Sequence, residues 1–188
     1  MALTSEEKQI LIQVAREAIA RAVHGREAPA IDLDTIPDTL KRDGASFVTL
    51  TEHGSLRGCI GSLEARRPLI VDVRENAVAA ALHDPRFPTV QPHELGDLKV
   101  EVSVLSEAQP LAYEDAEDLI AQLRPGVDGV VIEQGWNRAT FLPQVWEKIP
   151  DPHQFMEHLC RKAHLPLDAY RDPGLDVYTY QVDKFEES

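Results

Sequence analysis

Cysteine is scarce: only Cys59 and Cys160 occur in 188 residues. No disulfide framework holds this fold, and in a reducing compartment both are expected to be free thiols. Long apolar runs are also missing, since none approaches the roughly 20 residues that a bilayer span requires. The opening Met1-Ala2-Leu3-Thr4-Ser5-Glu6-Glu7 lacks the basic stretch and apolar core of an export signal. A cytoplasmic protein, off the membrane, is the expectation. Positive charge is in short supply, with 19 Lys and Arg against 32 Asp and Glu and a formal net charge of -13. Such an acidic chain repels phosphate backbones and anionic lipid alike, which argues against general nucleic-acid binding. Arg66 and Arg67 are adjacent, with Arg57 and Arg74 near in sequence, so a small basic spot remains. There is no phosphate-cradling glycine loop, no Gly-x-Ser-x-Gly elbow and no dinucleotide fingerprint. Nucleotide hydrolysis and ordinary serine hydrolysis fit poorly, and no cofactor is expected.

What is present is the composition of a globular domain, 43% hydrophobic and 27% charged, in a chain long enough to bury a core unaided. Thr4 and Glu7 form a capping box, after which Ile10, Leu11, Val14, Ala15, Ala18, Ile19 and Ala22 recur at helical spacing until Gly25. Residues 26–44, with Pro29, Pro37 and Gly44, read as a long surface connection. Ser46 to Thr51 and Leu56 to Leu63 make a hairpin around Glu52-His53-Gly54-Ser55. Pro68 suits the first turn of a helix carrying Leu69, Val73, Ala77 and Ala80 or Ala81, which stops near Asp84-Pro85. Leu98, Val100, Val102 and Val104 then alternate as a half-buried strand.

The second half repeats this order. A helix around Asp115 to Leu123 precedes strands at Gly129 to Glu133 and Ala139 to Leu142, then a helix at Pro152 to Ala163 and a strand at Val177 to Val182. Asp151-Pro152-His153-Gln154 caps the later helix. Residue identity between the halves is negligible, so the duplication of a helix-strand-strand-helix-strand unit rests on pattern alone. The expected fold is α+β: one domain over 1–188, with two intertwined sub-domains of about 1–110 and 111–188. Mostly antiparallel sheets carry packed helices, and a cleft lies between the halves.

Chemistry concentrates in Leu56-Arg57-Gly58-Cys59-Ile60-Gly61. Strand alternation puts Arg57 and Cys59 on one face, where a guanidinium favours the thiolate and makes Cys59 a nucleophile or a soft ligand. Gly58 and Gly61 leave room for another backbone or a small ligand. The plainer reading makes Cys59 a small core residue, because free cysteine is often buried. Arg57, in an apolar strand, either pairs with an acid such as Glu101 or presents an anion site, and Arg86 is a second candidate binding residue.

His83-Asp84-Pro85-Arg86-Phe87-Pro88 is a rigid turn in which His83 either serves as a base or tops a helix, with Asp84 holding Arg86. On the last helix His153, Glu157, Cys160 and His164 share a face at spacings of four, three and four. The neighbouring stripe of Phe155, Met156, Leu159 and Ala163 marks that face as core border, and no metal is expected there. Trp146 reads as a wall of the core.

Leu56-Arg57-Gly58-Cys59-Ile60-Gly61, Asp84-Pro85-Arg86-Phe87, Val102-Ser103-Val104-Leu105, Leu142-Pro143-Gln144-Val145 and Lys162-Ala163-His164-Leu165 occur in this order over nearly the whole chain. Together they resemble the AMMECR domain family, called AmmeMemoRadiSam system protein A in microbes. His164 departs from the family pattern, which has Gly there more often. The resemblance implies an α+β fold with two sub-domains and a cleft, and association with a Memo-type protein and a radical-SAM protein. It implies no particular reaction. A thiol-dependent enzyme or modification factor therefore stands beside a non-catalytic adaptor that docks an acidic peptide or small anion.

Overall fold

A computed structural model describes residues 3–188. Met1 and Ala2, at the head of the stretch read for an export signal, lie outside the described residues. The chain divides into two compact units, one running as far as Ser106 and taking in Asp183–Ser188, the other Glu107–Val182.

In the first unit, helix α1 (Ser5–Val23) starts at the expected capping box. The Thr4 hydroxyl accepts from the Glu7 N–H at 3.2 Å, and the Glu7 carboxylate accepts from the Thr4 N–H at 2.7 Å. The connection that follows holds a single turn of helix, α2 (Asp38–Lys41), which buries Leu40. Strands β1 (Ala45–Glu52) and β2 (Ser55–Gly61) form the hairpin; His53 and Gly54 both take positive φ, as a tight turn between twisted strands requires. Helix α3 (Leu69–Leu82) and strand β3 (Leu98–Leu105) follow. Both β2 and β3 pair antiparallel with β1. Val48 and Leu50 of β1 and Val100 and Val102 of β3 face the core with Leu11, Ile19 and Val73 from the helices. Burying such side chains contributes roughly 1.5–3 kcal/mol each.

The second unit has its own core, built from Leu119, Val130, Ile132, Trp146, Phe155, Leu159 and Tyr170. Its elements are β4 (Gln109–Pro110), α4 (Ala116–Gln122), β5 (Gly129–Gln134), β6 (Asn137–Phe141), α5 (Pro152–Lys162) and β7 (Asp176–Tyr180). Asp151 caps α5 by accepting from the Gln154 N–H at 2.9 Å. Trp146 is the wall expected of it. Its ring stacks on Phe155 at 3.7 Å, and its N–H donates to the Asp128 carbonyl at 2.7 Å.

A last strand, β8 (Val182–Glu186), returns to the first sheet, whose order is β2-β1-β3-β8; the second is β4-β7-β5-β6. The duplication is therefore real at the level of topology: β2-β1-β3 recurs as β6-β5-β7, each reached through helix, hairpin, helix and strand. The fourth strands interleave the units along the chain, since β4 follows β3 and borders β7, while β8 follows β7 and borders β3. Two corrections arise. The strand expected over 177–182 is β7 as far as Tyr180, its last residue Val182 opening β8 in the other sheet, and β4 had no counterpart in the sequence pattern. Among the described residues, no helix is long and apolar enough to cross a membrane.

Candidate functional site

Register places the motif on the edge of the first sheet. Leu50 pairs with Gly58 but the next residue, Thr51, pairs with Leu56, so Arg57 is the extra residue of a β-bulge. The bulge interrupts the alternation that was to set Arg57 beside Cys59. The Arg57 guanidinium instead donates to Glu94 at 2.7 and 3.1 Å and to the Pro88 carbonyl at 2.9 Å. Glu94, rather than Glu101, is its acid, and this cation holds the carboxyl of Glu94 below its ordinary value against the opposing effect of burial. Glu101 pairs with Lys184.

Cys59 lies opposite Thr49 and is half-buried. Its sulfur accepts a hydrogen bond from the Thr49 hydroxyl at 3.3 Å. Its backbone, facing away from β1, is clamped by the turn after α3: the N–H donates to Asp84 at 2.9 Å and the carbonyl accepts from Arg86 at 3.2 Å. Asp84, almost fully buried, also accepts from the Arg86 backbone N–H and from its guanidinium, at 3.0, 3.0 and 2.7 Å. Those bonds hold its carboxyl far below the ordinary range, Arg86 being the largest cause and burial opposing it. Arg86 is raised in turn, first by Asp84 and in smaller part by the Cys59 sulfur. Arg86 is thus tied to the Cys59 peptide through its carbonyl as well as to Asp84.

Both glycines are filled from within the chain. A Cβ on Gly58 would lie 2.2 Å from the Ala80 carbonyl oxygen of α3, and one on Gly61 would lie 2.2 Å from the Phe47 ring. Of the two uses expected for these glycines, close approach of other parts of the chain is the one seen, by the α3 backbone at Gly58 and by Phe47 and the Ser46 carbonyl at Gly61. His83 is exposed at the C-cap of α3, where its N–H donates to Ala79 at 2.8 Å. Among the described residues no hydrogen bond or ion pair joins His83 to Cys59.

Cys160 is fully buried in the second core, and burial pushes its thiol pKa up. The face of His153, Glu157, Cys160 and His164 is not drawn together as a ligand set. Among the described residues, the one group of three or more His, Cys, Asp or Glu side chains with donor atoms mutually close, within 4.8 Å, is Glu52, His53 and Asp97 at the hairpin turn. That group lies at the surface, and exposed acids gather there readily without an ion.

One polar cluster went unread in the sequence. Asp72 of α3 is 1% exposed, yet it accepts from the Ser46 N–H and hydroxyl, the Ser62 hydroxyl, Asn76 and Arg67, all at 2.7–2.9 Å. Asn76 reaches back to the Ser46 carbonyl at 3.1 Å. The available signal was Asp72 and Asn76, four apart and next to the apolar stripe of Leu69, Val73 and Ala77, where a solvated polar face would have lain opposite.

The model of the AMMECR1 family matches residues 12–185. A protein of Methanothermobacter thermautotrophicus is 42% identical over 190 residues, covering 98% of this chain and 96% of its own. A protein of Thermofilum pendens is 36% identical over 99% and 92% of the two chains. The crystal structure of a Pyrococcus horikoshii protein has the same fold, with a TM-score of 0.81 and 32% identity over 99% of this chain and 94% of that one. With the match spanning both units and the ordered motifs alike, the chain belongs to the AMMECR1 family.

Proposed function

We propose that this protein is a thiol-dependent enzyme or modification factor in which Cys59 is the nucleophile. The observation that carries the reading is elimination within the motif. Arg57 is tied to Glu94, Gly58 and Gly61 admit Ala80 and Phe47, and Ile60 packs on the core. Of the polar side chains in the motif, the Cys59 thiol alone is left without a task in the fold. Support comes from its surroundings: the Thr49 hydroxyl donates to the sulfur, and the Arg86 guanidinium is held at the carbonyl of the same residue. Asp84 and Arg86 hold its peptide in place as positioning residues, and His83 is a solvent-reachable proton carrier at the neighbouring helix end.

Iodoacetamide at neutral pH tests this, because alkylation forms the S–C bond and releases iodide only as fast as thiolate is presented. Cys59 is expected to react at least about tenfold faster than buried Cys160, and Thr49→Val to slow it. Equal, slow labelling of both thiols in the native protein would sink the reading.

A second reading is an adaptor acting with Memo-type and radical-SAM proteins. Leu56, at the head of the motif, is 45% exposed, an apolar contact that the fold leaves at the surface. Capture of a Memo-type protein that survives Cys59→Ala and is lost in Leu56→Glu would select the adaptor over the enzyme.

A further inference from the structure

We infer that a pocket at the start of the loop after β2 binds a small organic oxyanion, a carboxylate or a phosphate monoester. The pocket holds about 520 Å³ and is lined by Ser62, Leu63, Glu64, Arg66, Arg67 and Asp72. That volume is within the range of small-molecule sites, roughly 300–1,000 Å³.

The class of ligand follows from which polar atoms are still uncommitted. Asp72 has both oxygens occupied: Oδ1 by Ser62 and Arg67, Oδ2 by Ser46 twice and Asn76. It anchors Arg67 and has no acceptor capacity left for a ligand. A cation or a sugar hydroxyl arriving at this floor meets acceptors already taken. The donors are a different case. Arg67 engages Asp72 through Nε and Glu75 through Nη1, while Arg66 engages Glu64 through Nε and Nη2. Among the described residues, Arg66 Nη1 and Arg67 Nη2 donate to nothing, so the free capacity is guanidinium N–H, which suits paired oxygens of an oxyanion. Leu63, 49% exposed, offers the apolar wall for the remainder of an organic molecule.

Charge sets the strength. The lining carries two arginines against Glu64 and Asp72, a neutral patch on a chain of net charge -13. Glu64 competes with the ligand for Arg66, so affinity is modest and weakens with salt. Removing that competitor should tighten binding, an outcome that a purely structural ion pair does not foresee.

The test is a two-dimensional amide NMR titration of the full chain, with inorganic phosphate and with acetate as separate probes. Expected are saturable shifts confined to residues 62–67, about tenfold weaker binding in Arg66→Ala and tighter binding in Glu64→Gln. Arg66 is 79% exposed, so its replacement leaves the fold intact, which the unshifted remainder of the spectrum verifies. A response to phosphate alone assigns the phosphate monoester, and an equal response to acetate assigns the carboxylate. No saturable shift with either probe, or the same affinity in Arg66→Ala as in the parent, overturns the proposal. The pocket does not depend on Cys59, roughly 10 Å away along the chain; Cys59→Ala should bind both probes unchanged, so the two proposals fail separately.

Discussion

A methyl group at Gly58 would stand 2.2 Å from the carbonyl oxygen of Ala80, a backbone atom that cannot rotate out of the way as a side chain does. Either β2 or α3 has to move, and α3 is held on its other side by α1. Gly58→Ala should therefore cost about 2–3 kcal/mol, at the upper end of overpacking, although alanine suits a strand no worse than glycine. Urea denaturation measures it, and a loss under about 0.5 kcal/mol would mean that the helix is free to retreat. The same residue-scale logic explains His164. It takes φ of 60, the left-handed turn that commonly closes a helix and that glycine adopts without strain. A histidine takes that turn here, a residue less suited to it than glycine.

Between the end of α3 and the start of β3, the chain acts as one element stapled to the sheet edge. Asp84 takes the Cys59 N–H, Arg86 takes the Cys59 carbonyl, and Glu94 holds the bulged Arg57. Side chains thus occupy the edge groups that a further strand would otherwise pair with. The second sheet is treated in like manner, for Lys162 at the end of α5 donates to the Thr140 carbonyl of edge strand β6 at 2.9 Å. Both carboxylates of the first clamp have depressed pKa values, Asp84 chiefly through Arg86 and Glu94 chiefly through Arg57. A depressed carboxyl favours the folded state above its ordinary value and loses that contribution as pH falls through its folded value. The clamp should therefore hold at neutral pH and weaken from about 4.5 downward, Glu94 first, the ordinary values being 4.5 and 3.8. Urea midpoints taken between neutral pH and the acid limb should fall less steeply in an Asp84→Asn, Glu94→Gln double variant. Parallel curves for the two proteins would remove the clamp from the acid response.

At the scale of the whole chain, the first unit is complete only after the last residues are made. Strand β8 borders β3, and the residues around it are tied back to α1: Lys8 pairs with Asp183 at 2.7 Å and Arg16 with Glu187 at 2.6 Å. Glu187 also exchanges bonds with the Val100 backbone, accepting at 2.9 Å and donating at 3.0 Å. Ending the chain at Val182 leaves β3 as a bare edge and takes the Glu187 carboxylate from Arg16, which keeps only the Leu95 and Leu98 carbonyls, a loss of roughly 3 kcal/mol or more from several charge-assisted bonds. Hydrogen exchange should show β1 and β3 losing protection while β5 keeps it. Unchanged protection in β3 would mean that the returning strand is dispensable.

Whatever depends on near neighbours could be read from the residues in order. Capping boxes, apolar periodicities and turn residues set the helices and hairpins, and their repeated order carried the α+β class and the duplication. The motif at 56–61 was equally legible, because its composition is local. Tertiary structure alone decided which side chains meet. A one-residue bulge left Arg57 to Glu94, and the turn after α3 brought Arg86 to the Cys59 carbonyl; Asp72 gathered donors from three separate segments; and β8 crossed back to a sheet begun more than a hundred residues earlier. Such pairings are fixed by burial and register summed over the whole fold, which spacing along a single strand or helix does not encode.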